Sequence, residues 1–484
     1  RWGKPVGFYL LDILSLRAFG ASEFSARLPS VLAGLGLVLL TAALGAMLFD
    51  SRSGFYVGLF AATALQPVVY ARTAVPDMLL SFFICLSLYG FVLWERTEAG
   101  GRGRVLALVL LYAGAALAFL VKGPLGALLP GITLAAYLVI SRQTRELPRL
   151  GLWWGLPLFL ALAAPWFIYM YRVHGPAYLE EFFLHRNLER YFTDRWEHPG
   201  PAYYYLPVLI AGSFPWTLAL AGGAVRSLRG LIFPGVEPET LQKSWNSDLL
   251  AWCWLGVMLL FFSFSRSKLP NYVLPLYPAA ALFSGCFLAG AEEAPGKRGA
   301  AALAAGTGVL ALAALVFGAA LLPQRTGMPR PQVLLALAPL GLVPAGAAAF
   351  LVRRRLALFT ASAVAAMALM FALVSGVALP QADNFRAVRS FSRSRLGSLE
   401  HGERILCLQL WPPSLGFYTG GKLVRFDPYH DRWGDFAGQG GRWVLTRERS
   451  LPLLDSLMSF QPPAQTHRIG DRVLVRLQSG KTDD

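Results

Sequence analysis

The sequence predicts a polytopic α-helical membrane protein carrying a small C-terminal α/β domain. Three observations lead there. Of 484 residues, 55% are hydrophobic and only 15% are charged, with a mean hydropathy of +0.49; soluble domains carry about a quarter charged residues. The apolar residues gather in runs of roughly 17–24, the length that crosses a hydrocarbon core about 30 Å thick. Between the runs, short basic loops alternate with loops dense in Arg, Lys, His and Tyr.

Residues 1–26 are apolar but interrupted by Lys4, Asp12 and Arg17, which suits an interfacial helix better than a span. Twelve spans are then predicted: about 27–49, 54–72, 78–94, 105–121, 124–140, 151–171, 205–221, 249–264, 272–290, 300–322, 331–351 and 356–379. The loops 95–104, 141–149, 222–248 (with Arg226, Arg229 and Lys243), 296–298 and 353–355 are basic and belong on the cytoplasmic side. The alternate set is then extracytoplasmic: 1–26, 73–77, 122–123, 172–204, 265–271, 323–330 and everything after 379. Two domains follow, a transmembrane domain over 1–379 and an extracytoplasmic α/β domain over 380–484. In the second, 404–410, 422–426, 442–446 and 472–477 read as strands, and 413–418 and 450–458 as short helices. Its Asp383, Asp427, His430 and Asp431 read as surface or capping residues rather than metal ligands.

The net charge of +16 is spread between spans rather than gathered in a patch. It speaks for membrane orientation and anionic lipid, not for nucleic acid. Cys85, Cys253 and Cys286 lie in apolar runs and Cys407 stands alone, so no disulfide framework is expected. The chain begins at Arg1, and one further span is expected ahead of it.

The polar clusters on the extracytoplasmic side share one theme, several cations around few anions. They are Lys4 in W-G-K-P, Arg72 with Asp77 in A-R-T-A-V-P-D, Lys122 in K-G-P, Arg190 and His198 in the stretch 185–205, and Arg266, Lys268 and Tyr272 in S-R-S-K-L-P-N-Y. Ionisable groups at membrane depth are functional candidates by default. Arg, Lys and Tyr donors suit a phosphate or pyrophosphate. If that phosphate sits on a long isoprenoid, the lipid lies between helices and its head meets these residues. A lone carboxylate nearby suits general-base or leaving-group chemistry, or stabilisation of a cation. Pro76 places Asp77 in the first turn of the following helix, where the dipole favours an ionised acid. Structural readings stand beside these. Arg266 and Lys268 could be snorkelling anchors, His185 and His198 ordinary loop residues, and Tyr203, Tyr204 and Tyr205 an aromatic belt. No Gly-rich phosphate loop supports a nucleotide donor, and no His/Cys/acid spacing supports a metal. No cofactor is expected, with a divalent metal left open.

At these residues the chain resembles the polyprenyl-phosphate-sugar-dependent membrane glycosyltransferases of the C-type superfamily. Within them it is most similar to the bacterial 4-amino-4-deoxy-L-arabinose transferases that modify lipid A, and next to the protein O-mannosyltransferases. The matches run in order: K-P at 4–5, F-G-x-S-E-F-x-A-R-L-P-S at 19–30, A-R-x-x-x-P-D at 71–77, K-G-P at 122–124, N-L-x-R-Y at 187–191 followed by H-x-x-P-x-Y-Y-Y, F-P-W at 214–216 and S-K-L-P-x-Y-x-L-P at 267–275. They cover residues 1–290. The resemblance implies thirteen spans in the full-length protein. It implies that Lys4, Arg190 and Tyr272 bind the donor phosphate and that Asp77 belongs to the catalytic cavity. Arg72, Lys122, His198 and Lys268 are further cavity candidates. It also implies a principal catalytic acid ahead of residue 1. Many members have an acid just before the lysine of K-P; here Gly3 stands there.

The expected function is transfer of a sugar from a polyprenyl phosphate to lipid A, or to a protein or glycan acceptor, at the outer leaflet of a bacterial inner membrane. A lipid transporter or flippase, and an inactive structural paralogue, are the readings from other classes. The first predicts related halves and charges at mid-span; the sequence has neither.

Overall fold

In the computed structural model the described residues are 4–98, 101–192, 200–233, 238–293, 298–326, 328–353, 355–378, 404–408, 423–426, 441–457, 465–469 and 472–476. The chain divides into two compact units, one of 1–311 with 342–367 and one of 312–341 with 368–484.

The first unit opens with α1 (Gly7–Phe19), which is not long enough to cross a membrane and leaves Leu10, Ile13 and Leu14 exposed. Its length agrees with the expectation that this interrupted apolar stretch is not a span. Next come α2 (Glu23–Leu48), α3 (Ser51–Thr63), α4 (Leu65–Ala71), α5 (Pro76–Arg96), α6 (Arg102–Lys122), α7 (Leu125–Ile140) and α8 (Leu152–His174). Their starts are written in the sequence. Ser22 and Ser25 form a reciprocal capping box on α2. The Asp50 carboxylate accepts the backbone N–H of Arg52 and Ser53 on α3, each at 2.9 Å. Those bonds hold it below the usual carboxylate range. α5 begins on Pro76, whose missing N–H leaves no first-turn donor unpaired there.

Among the described residues nine helices are long and apolar enough to cross a membrane, and two further pairs of helices pass only if each bent pair is one span. With the shorter α7, all twelve predicted spans have a counterpart. Two differ in shape. α3 and α4 meet at 59°, and Ala202–Gly212 meets Thr217–Ile232 at 116° across residues 213–216. The loop expected over 222–248 is a correction: helices continue through Ile232 and from Pro238 to Phe264. Basic residues there made the chain look like a connection, yet Arg226 and Arg229 ride on a helix whose apolar face still packs inward.

The core of this unit runs through the middle helices. Leu44, Phe60, Ile84, Phe91, Tyr137, Trp254 and Tyr277 are at most 2% exposed. Among the described residues Pro270–Glu292 is the most enclosed span, 83% of its apolar stretch being buried, followed by α5 at 72%. The two most enclosed segments therefore carry Asp77 and Tyr272.

The second unit holds a five-stranded mixed sheet in the order β2-β1-β3-β5-β4, with β1 Arg404–Leu408, β2 Leu423–Phe426, β3 Gly441–Arg447, β4 Gln465–Ile469 and β5 Arg472–Arg476. β1 pairs parallel with β2 and β3; β5 pairs antiparallel with β3 and β4. Leu406, Leu408, Val444, Val473 and Val475 form its core with Leu454 of the short helix Leu451–Leu457. Four strands and this helix match expectation, and the edge strand β4 was not foreseen. The helix expected at 413–418 and Asp383, Asp427, His430 and Asp431 lie outside the described residues.

Candidate functional site

The site sits where α1, α5, α6, the turn after α6, the segment 180–192 and the turn 265–272 come together. Close approach of α1 brings Lys4 in. A Cβ on Gly7 would stand 2.7 Å from the carbonyl oxygen of Leu120, so only glycine allows α1 to lie against the last turn of α6. α6 ends at Lys122. Gly123 follows at φ +81°, and a Cβ there would meet the Phe182 ring at 2.6 Å. The K-G-P turn thus presents Lys122 and lets Phe182 of the π-helical segment Glu180–Glu189 pack directly on the backbone.

Lys122 Nζ lies 2.5 Å from Asp77 Oδ1, with side-chain exposures of 13% and 3%. The pair spans 45 residues and joins α6 to the first turn of α5. Asn271 is a second hydrogen-bonding neighbour of the same carboxylate, and Lys4 a second cation acting on it. Lys122 Nζ also stands 4.6 Å from the centroid of the Tyr272 ring, within reach of a cation–π attraction. Tyr272 packs on Phe262 at 5.7 Å between centroids.

Of these groups, Lys4, Lys122, Tyr272 and Phe262 line a cavity of about 510 Å³. Lys4, Lys122, Arg186, Asn187 and Tyr272 supply polar atoms, while Leu125, Leu128, Phe182, Phe183, Leu184, Leu188, Phe192 and Phe261 supply apolar wall. Leu184, Leu188 and Phe192 are 49%, 54% and 65% exposed. Part of the apolar wall is therefore exposed at the surface of this unit. Among the described residues, Asp77 is paired with Lys122, and Glu181 with Arg186 Nε at 2.7 Å. His185 pairs with Glu189 at 2.6 Å. What such a site can do chemically is hold an anionic head beside an apolar tail.

The predicted residues distribute as follows. Lys4, Lys122 and Tyr272 are brought together on the cavity. Asp77 is 3% exposed on its side chain and lies behind Lys122 rather than on the wall. Arg72 is exposed at the end of α4 and is not on the wall. Lys268 is 5% exposed and turned into the protein. Its Nζ donates to the carbonyls of Phe262, Ser263 and Ser265 at 3.1, 2.7 and 2.5 Å. Burial pulls its ammonium below the ordinary lysine range. Arg190 opens the short helix Arg190–Phe192, but its side chain lies outside the described residues, as does His198. Two contributors were not singled out from sequence, Arg186 and Asn271. Both stand inside quoted motif stretches, next to Asn187 and Tyr272, which was the available signal. Among the described residues, no group of three or more His, Cys, Asp or Glu side chains could hold a metal ion.

Residues 3–169 match the family model described as dolichyl-phosphate-mannose-protein mannosyltransferase. Known relatives include the undecaprenyl phosphate-alpha-4-amino-4-deoxy-L-arabinose arabinosyl transferase of Pectobacterium carotovorum subsp. carotovorum (strain PC1). It is 30% identical over 296 residues, 60% of this chain and 50% of that protein. The protein of the same name from Pseudomonas paraeruginosa (strain DSM 24068 / PA7) is 31% identical over 327 residues, 65% of this chain and 55% of its own length. The chain thus spans about half the length of the curated relatives it matches. In fold it is similar to the crystal structure of ArnT from Cupriavidus metallidurans bound to undecaprenyl phosphate. That similarity has a TM-score of 0.79 at 21% identity, over 98% of this chain and 88% of that one. A multi-pass membrane protein with a cationic cavity among apolar helices is the class that fold and site define. Over residues 3–169 the chain is similar to that mannosyltransferase family, and over a longer stretch to the arabinosyl transferases named above.

Proposed function

We propose that the protein transfers a sugar from a polyprenyl-phosphate donor to an acceptor at the outer face of the membrane. Lipid A is the first candidate acceptor, and a protein or glycan the second. The observation that carries this is the cavity itself, which combines Lys4, Lys122 and Tyr272 with a largely apolar wall. Its walls suit an isoprenoid, and its cations suit the phosphate that leaves. In the reaction an acceptor oxygen, either of a phosphate or of a hydroxyl whose proton passes to a base, attacks the anomeric carbon, the bond from that carbon to the donor's phosphate oxygen breaks, and configuration inverts. The electron pair of the broken bond goes to the lipid phosphate, and the site's donors stabilise that charge as it develops. Lys4, Lys122, Arg190 and Tyr272 take this part. Asp77 holds Lys122 in place. The donor and acceptor classes are supported by the names of the relatives, which include an undecaprenyl-phosphate-dependent arabinosyl transferase.

Mass spectrometry of lipid A and of glycoproteins from a deletion strain tests the transfer. Loss of one pentosyl or hexosyl adduct, restored by the full-length gene, is the expected result. Unchanged lipid A, protein and glycan profiles would contradict it.

The side of the membrane is testable separately. Loops 95–104, 141–149 and 353–355 are proposed as cytoplasmic, and residue 400 as extracytoplasmic. Single cysteines at these positions, treated with a membrane-impermeant thiol reagent outside intact cells, should label at 400 only. Labelling at 353–355 without labelling at 400 would reverse the orientation.

A further inference from the structure

The turn that presents Tyr272 is built on a buried lysine. Residues 265–272 follow the long helix Pro238–Phe264 and lead into the 3-10 helix Pro270–Leu276. A helix end leaves its last carbonyls unpaired. Here the Lys268 ammonium turns back and takes the carbonyls of Phe262, Ser263 and Ser265, with the Tyr205 ring 5.5 Å away. All three ammonium protons therefore have acceptors on the backbone. The turn is tied at two more points. The Leu269 N–H donates to Tyr205 Oη at 3.3 Å, and Gln66 Nε2 donates to the Pro270 carbonyl at 2.6 Å. Gln66 is itself fixed by Tyr277, whose hydroxyl donates to its Oε1 at 2.6 Å.

Two features of the site hang from this turn. Tyr272 and Asn271 reach Lys122 and Asp77 from it. The Arg266 N–H donates to the Tyr191 carbonyl at 2.9 Å, and Tyr191 Oη donates to the Phe261 carbonyl at 2.8 Å. The backbone that carries Arg190 is thereby docked on the same turn. We infer that Lys268 is a positioning residue that clamps the 265–272 turn, setting Tyr272 and the 187–192 segment for donor binding, and not a phosphate ligand. The consequence for donor binding rests on the function proposed above; the clamp does not.

Hydrogen–deuterium exchange on the full-length protein tests the clamp without a donor. Lys268→Met should raise exchange in 265–272 and in 187–192 while α2, α5 and α6 keep wild-type protection. Lys268→Gln, which retains two donors, is the milder variant should the methionine form fail to insert, and should move the same peptides less. Unchanged exchange at both segments in whichever variant folds would overturn the clamp.

Undecaprenyl phosphate is the probe for the second part. Its affinity should fall roughly tenfold in Lys268→Met, as for loss of one charge-assisted contact. In a Tyr272→Phe background the further loss should be clearly smaller, because the two act in series. A full multiplication of the two losses with undisturbed exchange would make Lys268 a direct phosphate contact. Failure of the wild-type protein to bind the probe would count against the proposed donor, and the exchange result would still decide the clamp.

Discussion

Asp77→Asn is expected to lower turnover on the order of a hundredfold or more, and to lower stability as well. The carboxylate is 3% exposed and in contact with Lys122. Removing one partner of a buried ion pair leaves the other charged and unpaired, which is destabilising by about 3–5 kcal/mol. Asparagine keeps the shape and still accepts a hydrogen bond, so a residue that served only to begin α5 would tolerate it. A double-mutant cycle separates two ways in which Asp77 acts. If it works through Lys122, Asp77→Asn combined with Lys122→Met should regain stability, since both charges are gone. Its turnover should then equal that of Lys122→Met alone. If Asp77 also meets the acceptor in the loaded enzyme, the double variant should fall further. The position of Asp77 behind Lys122, away from the cavity wall, leads us to expect equality. Near-normal turnover in Asp77→Asn would make it a helix-start residue and nothing more.

The second large effect is expected at the phosphate end. On the proposed function, Lys4→Ala and Tyr272→Phe each remove a donor to the leaving phosphate. Charge-assisted hydrogen bonds are worth about 1.5–3 kcal/mol, so roughly tenfold or more in donor affinity should go with each, and the pair together should lose about a hundredfold. Loss of the Tyr272 hydroxyl leaves the ring, its stacking on Phe262 and its contact with Lys122 in place. The phenylalanine variant therefore isolates the hydrogen bond. Arg330, an exposed cation that does not line the cavity, supplies the control, and Arg330→Ala should be near wild type. Small and equal effects at all three positions would reduce the cations to interfacial anchors.

The sequence carried the helical architecture well because one physical quantity, apolar length, decides it. Bilayer-length runs became helices at Glu23–Leu48, Pro76–Arg96 and Arg102–Lys122. The 116° bend at residues 213–216 was not legible, since F-P-W is as apolar as its flanks and hydropathy does not report direction. Strand β4, Q-T-H-R-I, escaped because an edge strand tolerates polar residues on both faces. At the site, residue types were easier to read than partners. The motif set Arg72 beside Asp77, five residues away, yet the carboxylate is paired with Lys122, 45 residues on. Helix packing creates that neighbour, and spacing along the chain says nothing of it. Lys268 shows the same limit: an ammonium facing a phosphate and one facing three carbonyls look alike in a sequence.

The central claim is that the cavity takes a phosphate on a long isoprenoid. Titrating the full-length protein in lipid nanodiscs with undecaprenyl phosphate and with undecaprenol, which has the same chain and no phosphate, tests it most directly. The account predicts saturable binding of the phosphate ester at least about tenfold tighter than the alcohol, the preference an anion bound by charge-assisted contacts should show. That preference should collapse in Lys4→Ala combined with Tyr272→Phe. Equal affinity for the two lipids, or a preference that survives both substitutions, would contradict it.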